Sequence, residues 1–183
     1  MSQTRLYIAA SLDGFIARAD GSIDWLNALP NPDGSDFGYG DFYAGIDTVV
    51  MGRRTYEEVL GFGVSWPYTE CRTWVATSRA GYRLSTPNTQ VLPVIDAATV
   101  ERLRAGSTRG IWIVGGGEVI RAFLRLGAVD EMLLCTIPLI LGGGVPLFPS
   151  GTPECRWRLT GTEAYRSGAV MLKYRKAEDV EFG

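Results

Sequence analysis

The sequence predicts an α/β protein with a central, mostly parallel sheet flanked by helices and a C-terminal antiparallel hairpin. Between residues 5 and 141, apolar strand patterns alternate with helical ones, an order typical of parallel sheets. After residue 155 the pattern changes to two alternating strands around a turn at 166–168, which indicates a hairpin. We expect a single domain over residues 1–176, followed by a flexible tail at 177–183.

Each element follows from its local pattern. Compact apolar runs predict strands at 5–11, 46–52, 72–78, 90–95, 110–116 and 130–141. Ser35 or Asp36 can cap a short helix that runs toward Tyr43. Three longer helical patterns, at 53–61, 97–106 and 118–127, each reach a glycine that can end them.

Composition excludes several classes of function. The formal net charge of −2 does not favour nucleic acid or an anionic membrane as a partner. The N-terminus lacks the pattern of a signal peptide, and no stretch reaches the roughly 18 apolar residues of a membrane span, so we expect a cytoplasmic protein. The three cysteines are widely spaced, which favours free thiols, buried as small apolar residues in a reducing compartment, over disulfides.

The absence of histidine restricts the chemistry further. The 183 residues contain none, which excludes Ser-His-Asp and Cys-His catalysis and the usual zinc sites. We therefore expect no metal, and any acid–base step must use a carboxylate, a tyrosine, a lysine or water.

Two triple glycines differ in their position. Gly115, Gly116 and Gly117 lie between a strand and a helix, where bare backbone lets a phosphate approach the positive end of the helix dipole. The second cluster, 142–144, leads into Val145 and Pro146 and has no helix behind it, so we interpret it as a loop or bulge.

Two further polar clusters follow predicted strands. Arg53 and Arg54 begin a helix, where the dipole would repel them unless an anion binds there. Thr77, Ser78 and Arg79 follow the next strand. Since ligands of open α/β sheets bind at the carboxyl ends of the strands, the glycines and these clusters together favour a dinucleotide with an extra phosphate, such as NADPH.

The segments that carry these residues resemble the dihydrofolate reductase fold family. Within it the chain is most similar to the branch with the C-terminal reductase domain of the bifunctional riboflavin-synthesis deaminase–reductase. The matching segments are YIAASLDGFIA, DTVVMGRRTYEEVLGFG, VATSR, IWIVGGGEVIRAFL and VDEMLLCTIPLILGGGVPLF. They run in family order through most of residues 5–149.

The resemblance implies NADPH and a role for each matching residue. It implies that Ala9, Ala10 and Ile16 line the nicotinamide. The residues that it places around the phosphates are Gly52, Arg53, Arg54, Thr55, Thr77, Ser78 and Arg79. Those that it places around the diphosphate are Val114, Gly115, Gly116, Gly117, Glu118 and Val119. It also implies a cis peptide between Gly115 and Gly116.

The proton donor and the substrate pocket are less well defined. Asp36 falls at the distance of the acid that serves the pterin in folate reductases, with Asp41 and Asp24 as alternatives. Thr136 resembles the threonine that pairs with that acid. Aromatic side chains would form a dry substrate pocket, and the candidates are Trp25, Phe37, Tyr43 and Trp66.

The resemblance implies hydride transfer to a small heterocycle, as in 5-amino-6-(5-phosphoribosylamino)uracil reductase. Dihydrofolate reduction is the alternative, but Cys71 stands where the folate-binding arginine would be expected. The acidic and aromatic segment DFGYGDFYAG also lacks an arginine for a ribose phosphate. A non-catalytic NADPH-binding module and an interaction protein with a relic site remain open. The resemblance and the hairpin suggest a homodimer.

Overall fold

The computed structural model describes residues 2–177. The strands in this range are β1 (Gln3–Ser11), β2 (Phe15–Ala17), β3 (Thr48–Gly52), β4 (Arg72–Ala76), β5 (Thr89–Leu92), β6 (Gly110–Gly115), β7 (Glu131–Ile137), β8 (Val145–Pro146), β9 (Trp157–Ala164) and β10 (Val170–Lys176). The helices are α1 (Asp24–Asn27), α2 (Tyr39–Ala44), α3 (Arg53–Gly61), α4 (Ala97–Gly106) and α5 (Gly117–Arg125). The tail predicted at 177–183 lies, apart from Ala177, outside the described residues.

The central sheet has eight strands in the order β5-β4-β3-β6-β1-β7-β10-β9. Neighbours from β5 to β7 run parallel, and the last two pairs, β7–β10 and β10–β9, are antiparallel. The predicted fold class, a mostly parallel sheet with a C-terminal hairpin, is confirmed. A separate pair, β2 with β8, was not predicted.

Side chains alternate between the two faces of the sheet and build a core on each. The α5 face carries Leu6 and Ile113, which pack with Phe123 of α5. The α3 face carries Met51 and Trp112, and α2 and α3 cover it. Phe123 is fully buried, so its truncation to alanine would cost about 3–5 kcal/mol. No helix within residues 2–177 has the length and apolar content to span a membrane.

Proline and backbone pairing explain where the predicted strands end early. The run 130–141 was predicted as one strand, but β7 stops at Ile137 because Pro138 has no N–H to continue the ladder. The apolar residues Leu139 and Ile140 beyond it are exposed.

Of the three free cysteines, Cys71 and Cys135 are buried as expected, whereas Cys155 is exposed, since it lies in the loop before the edge strand β9.

Candidate active site at the carboxyl edge of the sheet

The strand order brings the predicted cofactor residues into one row. β4, β3, β6 and β1 are consecutive neighbours, and Gly52 pairs with Ala76 while Met51 pairs with Gly115. The segments that leave these four strands therefore lie side by side. At about 4.8 Å per strand, the row spans roughly 14 Å.

The glycines at the centre of this row lie in contact with neighbouring side chains. A Cβ on Gly116 would lie 3.4 Å from Thr55 Oγ1, and a Cβ on Gly52 would lie 3.4 Å from Val119 Cγ2. Gly115 faces Ile8, whose Cδ1 atom is 3.8 Å from the position of a Cβ. The start of α5 thus packs directly on the start of α3.

The helix starts at this edge differ in how they are capped. α4 has a side-chain cap, because Asp96 Oδ1 accepts from the Thr99 N–H at 2.8 Å. The neighbouring helices α3 and α5 begin after Gly52 and Gly116, and neither has a side-chain cap. Their first N–H groups are therefore available to a bound anion, which the helix dipoles would also stabilise.

The peptide between Gly115 and Gly116 is trans, so the cis peptide implied by the resemblance was wrong; no cis peptide occurs between residues 2 and 177. The turn is made through the φ angles of Gly115 and Gly116, which are 153° and 87°. Side chains rarely adopt these angles, so the turn requires glycine.

The arginines beside the glycines differ in their partners. Arg53 Nη1 forms an ion pair with Glu57 Oε2 at 2.5 Å, and this contact lowers the pKa of Glu57. Arg54 and Arg79 are exposed, and neither makes an ion pair with another residue in the described range. Thr77 Oγ1 accepts from the Arg79 N–H at 3.1 Å and shapes that loop. Ser78, beside it, is exposed.

The remaining predicted cofactor residues lie on both faces. Ala10 and Val119 belong to the core of the α5 face, and Ile16 packs against it. Val114 packs instead on the α3 face. Glu118 forms an ion pair with Arg121. Ala10 and Ile16 thus share a core with the start of α5.

The four predicted substrate aromatics divide between two clusters on the α3 face. Trp25 and Phe37 pack with Cys135, whereas Tyr43 and Trp66 pack in the larger core of that face. Tyr7 contacts both clusters. Trp66 lies edge-on to Tyr56 with ring centroids 5.3 Å apart, and Tyr43 stacks on Tyr39 with centroids 5.5 Å apart. Trp66 and Tyr43 thus have the contacts of core residues.

Three residues beside Phe37 were not predicted. Tyr7 Oη donates to the Phe37 carbonyl at 3.1 Å, and the Tyr165 ring lies edge-on to Phe37 at 4.8 Å. Cys135 is buried, and burial raises the pKa of its thiol to about 11. Tyr165 lies at the hairpin turn, which only the sheet topology brings to this place. The Tyr7 and Cys135 positions follow from strand alternation once the register is known.

One polar group in this cluster is buried without a partner. It is the Trp25 Nε1 atom, and Trp25 is 3% exposed. A buried donor without an acceptor is costly unless something else supplies the acceptor. Carbonyl or ring-nitrogen atoms of a planar ligand would do so.

The candidate acids have structural partners. Asp36 accepts from the backbone N–H groups of Gly40 at 2.8 Å and Gly38 at 2.9 Å, which lower its pKa. It is exposed and ionised near neutral pH, a poor state for proton donation. Asp24 binds Arg18 at 2.6 Å, and this hydrogen bond lowers its pKa. Asp41 is exposed in the first turn of α2.

Thr136 lies one residue before the end of β7. It pairs with Ala10, one residue after the pair of Ala9 with Cys135. Since Cys135 packs on the α3 face with Phe37, alternation puts Thr136 on the α5 face. The pairing of Thr136 with an acid at position 36 stays a prediction.

Residues 64–171 match the RibD C-terminal domain family. The chain belongs to this family. The YwjB protein of Bacillus subtilis, described as uncharacterized, is 41% identical over 96% of this chain and 98% of its own length. The uncharacterized YyaP protein of the same organism is 32% identical over 92% of each chain.

Solved structures share the fold of this RibD C-terminal domain protein. A candidate riboflavin biosynthesis protein of Shewanella sp. PV-4 superposes with a TM-score of 0.87 and 29% identity, over 96% of this chain and 99% of that one. A pyrimidine reductase-like protein of Corynebacterium diphtheriae has a TM-score of 0.68 and 16% identity, over 97% and 93%. The Thermotoga maritima deaminase/5-amino-6-(5-phosphoribosylamino)uracil reductase has a TM-score of 0.67 and 16% identity, over 96% of this chain and 57% of that one.

Proposed function

We propose that this RibD C-terminal domain protein is an NADPH-dependent reductase that transfers a hydride to a small, planar heterocycle. The observation that carries the proposal is the pair of uncapped, glycine-started helices α3 and α5, which lie side by side at the carboxyl edge. Free helix N–H groups and exposed arginines beside them suit a coenzyme with several phosphates.

The residues at this edge fit the parts of NADPH in order along the row. The backbone of Gly115–Gly117 and Thr55 would hold the diphosphate, where a side chain on Gly116 would meet Thr55. The exposed Arg54, Ser78 and Arg79 would bind the adenosine 2′-phosphate. At the other end, Ala9, Ala10 and Ile16 would align the nicotinamide, which supplies the hydride when the coenzyme is bound, and Ala9 packs against the cluster around Phe37.

The cluster around Phe37 suggests the class of substrate. Trp25 offers a buried hydrogen-bond donor, which suits a flat ring with acceptor atoms. Arg166, which follows Tyr165 in the chain, is paired with Asp33 at 2.9 Å, and Arg18 is paired with Asp24. A phosphorylated substrate would need one of these cations, so a substrate without a phosphate fits better.

Dihydrofolate suits this site less well, because the family's folate arginine has no equivalent. Cys71 at the matching position is buried against Tyr43, with 3.5 Å between the sulfur and the hydroxyl oxygen. Arg72 begins β4 at the amino edge of the sheet, and its guanidinium donates to the Gly106 carbonyl. It lies at the opposite edge from the candidate site and has a structural partner.

Water is the proton source that this site favours, because Asp36 and Asp24 both have lowered pKa values. The protein would contribute alignment and the exclusion of bulk water around Trp25 and Phe37 rather than a strong acid. Proton donation by Asp36 stays a prediction, and its test is given in the Discussion.

We also propose that the protein acts in the cytoplasm as a homodimer. Strand β9 is an edge of the sheet, and its outer side could pair with a second copy. A mass of about 40 kDa by light scattering, twice the 20.0 kDa of one chain, would support the dimer, and about 20 kDa would contradict it.

The direct test is oxidation of NADPH, followed at 340 nm, with a panel of oxidised pterins, pyrimidines and small carbonyl compounds. The proposal expects turnover with at least one unphosphorylated ring compound. Binding of NADPH without turnover of any compound would favour the non-catalytic module. Absence of NADPH binding would contradict both.

A further inference from the structure

The second glycine cluster lies in a loop, as predicted, but this loop is tied to the segment after β1. The Leu12 N–H donates to the Leu139 carbonyl at 2.8 Å, and the Leu147 N–H donates to the Gly14 carbonyl at 2.9 Å. Between these contacts, β2 pairs with β8 through Phe15 with Pro146 and Ala17 with Val145. We call residues 11–17 and 139–147 together the clasp.

One carboxylate joins the two halves of the clasp. Asp13 Oδ1 accepts from the Leu141 N–H at 3.0 Å, and Asp13 Oδ2 accepts from the Gly142 N–H at 2.7 Å. Asp13 Oδ1 also accepts from Ser11 Oγ at 2.6 Å, and that hydroxyl accepts from the Phe15 N–H at 3.0 Å. The side chain therefore fixes both the start of β2 and the glycine loop.

Close backbone contacts extend the clasp to the start of α5. A Cβ on Gly144 would lie 2.2 Å from the Ala17 carbonyl oxygen, and a Cβ on Gly117 would lie 2.5 Å from the Pro146 carbonyl oxygen. Glycine at 144 thus lets β8 approach β2, and glycine at 117 lets β8 approach the helix. Gly143, by contrast, has nothing within 4 Å of a Cβ position.

We propose that Asp13 is a positioning residue that sets Ile16 relative to the start of α5. Ile16 lies in β2, and β2 is held by β8 and by the Asp13 contacts at its start. α5 touches the clasp at Gly117 but is also held by its own core residues, Ile120 and Phe123, which are fully buried. Loss of Asp13 therefore releases Ile16 but leaves α5 in place. The inference rests on the proposed function, which assigns Ile16 to the nicotinamide and α5 to the diphosphate.

The test compares Asp13→Ala with Asp20→Ala, an exposed loop aspartate whose carboxylate accepts from the Ser22 N–H. Two ligands are titrated: NADPH, and 2′-phospho-ADP-ribose, which lacks the nicotinamide. Asp13→Ala should raise the dissociation constant of NADPH about tenfold or more and that of the fragment less than about twofold, because only the nicotinamide end is released. Asp20→Ala should weaken neither. Equal effects of Asp13→Ala on both ligands, or no effect, would overturn the positioning role.

Hydrogen exchange tests the clasp without any ligand. In Asp13→Ala, the amides of residues 14–17 and 139–147 should exchange faster, while those of α5 remain protected. Unchanged exchange in the clasp would overturn the inference even if the coenzyme binds. If the wild-type protein binds neither NADPH nor the fragment while exchange in the clasp responds, the proposed function fails and the mechanical link between Asp13 and β2 stands. Gly144→Ala should reproduce the exchange pattern, and Gly143→Ala should not.

Discussion

The Oγ1 atom of Thr55 lies 3.4 Å from the point that a Cβ on Gly116 would occupy. The start of α3 and the start of α5 are therefore in contact. This proximity brings two uncapped helix N-termini to one place, and the positive φ angles of Gly115 and Gly116 explain why the chain has glycine there.

Gly116→Ala should destabilise the protein and weaken NADPH binding. The φ of 87° at this residue disfavours any side chain, and the added methyl group would meet Thr55. We expect the free energy of unfolding to fall by about 1–2 kcal/mol, measured by chemical denaturation. Gly143→Ala, which has open space around its Cβ, is the matched control and should change it by less than about 0.5 kcal/mol. Similar losses in both variants would contradict this interpretation of the junction.

Asp36→Asn tests the proton donor. Asparagine has one acceptor oxygen where Asp36 uses two, so the variant removes the ionisable group and should keep one of the two hydrogen bonds from Gly38 and Gly40. Because the hydrogen bonds from Gly40 and Gly38 keep the Asp36 carboxylate ionised, we expect kcat to change less than about threefold. A loss of a hundredfold or more, with NADPH affinity retained, would instead assign proton delivery to Asp36.

Asp47 should make the stability of the fold depend on acid pH. Burial opposes its ionisation, but hydrogen bonds from Ser107, Thr108 and the Arg109 N–H prevail and hold its pKa well below the ordinary value of about 4. Because the pKa is lower in the folded state, the stabilisation is complete above pH about 4 and is lost as the pH falls through the folded pKa.

Asp47→Asn should therefore lower the free energy of unfolding at pH 7 by about 1–3 kcal/mol and flatten its decline between pH 5 and pH 2. Denaturant titrations at several pH values measure both effects. Glu101→Gln, at an exposed position of α4, serves as the control and should leave the pH profile unchanged. If the free energy of unfolding of Asp47→Asn declines with falling pH as steeply as that of the wild type, Asp47 is excluded as a source of acid sensitivity.

Much of the fold could be predicted because each strand and long helix has its own local pattern. The boundaries that were missed depend on contacts between distant segments. The pair β2–β8 forms only because Asp13 and Gly144 bring two loops together, and the proximity of Tyr165 to Phe37 depends on the hairpin folding back along β7.

The residues of the candidate site that follow strand ends could be predicted from the sequence. Those whose position depends on which face of the sheet a side chain lies on could not. The glycines at 115–117 and the loops after β3 and β4 meet because the carboxyl ends of parallel strands share one edge. The face on which Thr136 lies becomes known only from the register of β7 with β1. Ser35 or Asp36 was predicted to cap the short helix, but α2 begins after Gly38, and Asp36 accepts from the Gly38 and Gly40 N–H groups instead.

Binding of NADPH and NADH to wild type, Arg79→Ala and Arg54→Ala tests the central claim most directly, with Arg158→Ala on the distant edge strand β9 as control. Nicotinamide fluorescence reports each dissociation constant. If these arginines hold the 2′-phosphate, their loss should raise the dissociation constant of NADPH at least tenfold, because a charge-assisted hydrogen bond contributes about 1.5–3 kcal/mol. The dissociation constant of NADH, and both constants in the control variant, should stay nearly unchanged. Equal losses for both coenzymes would contradict the placement of the 2′-phosphate, and no binding of NADPH to the wild-type protein would contradict the account as a whole.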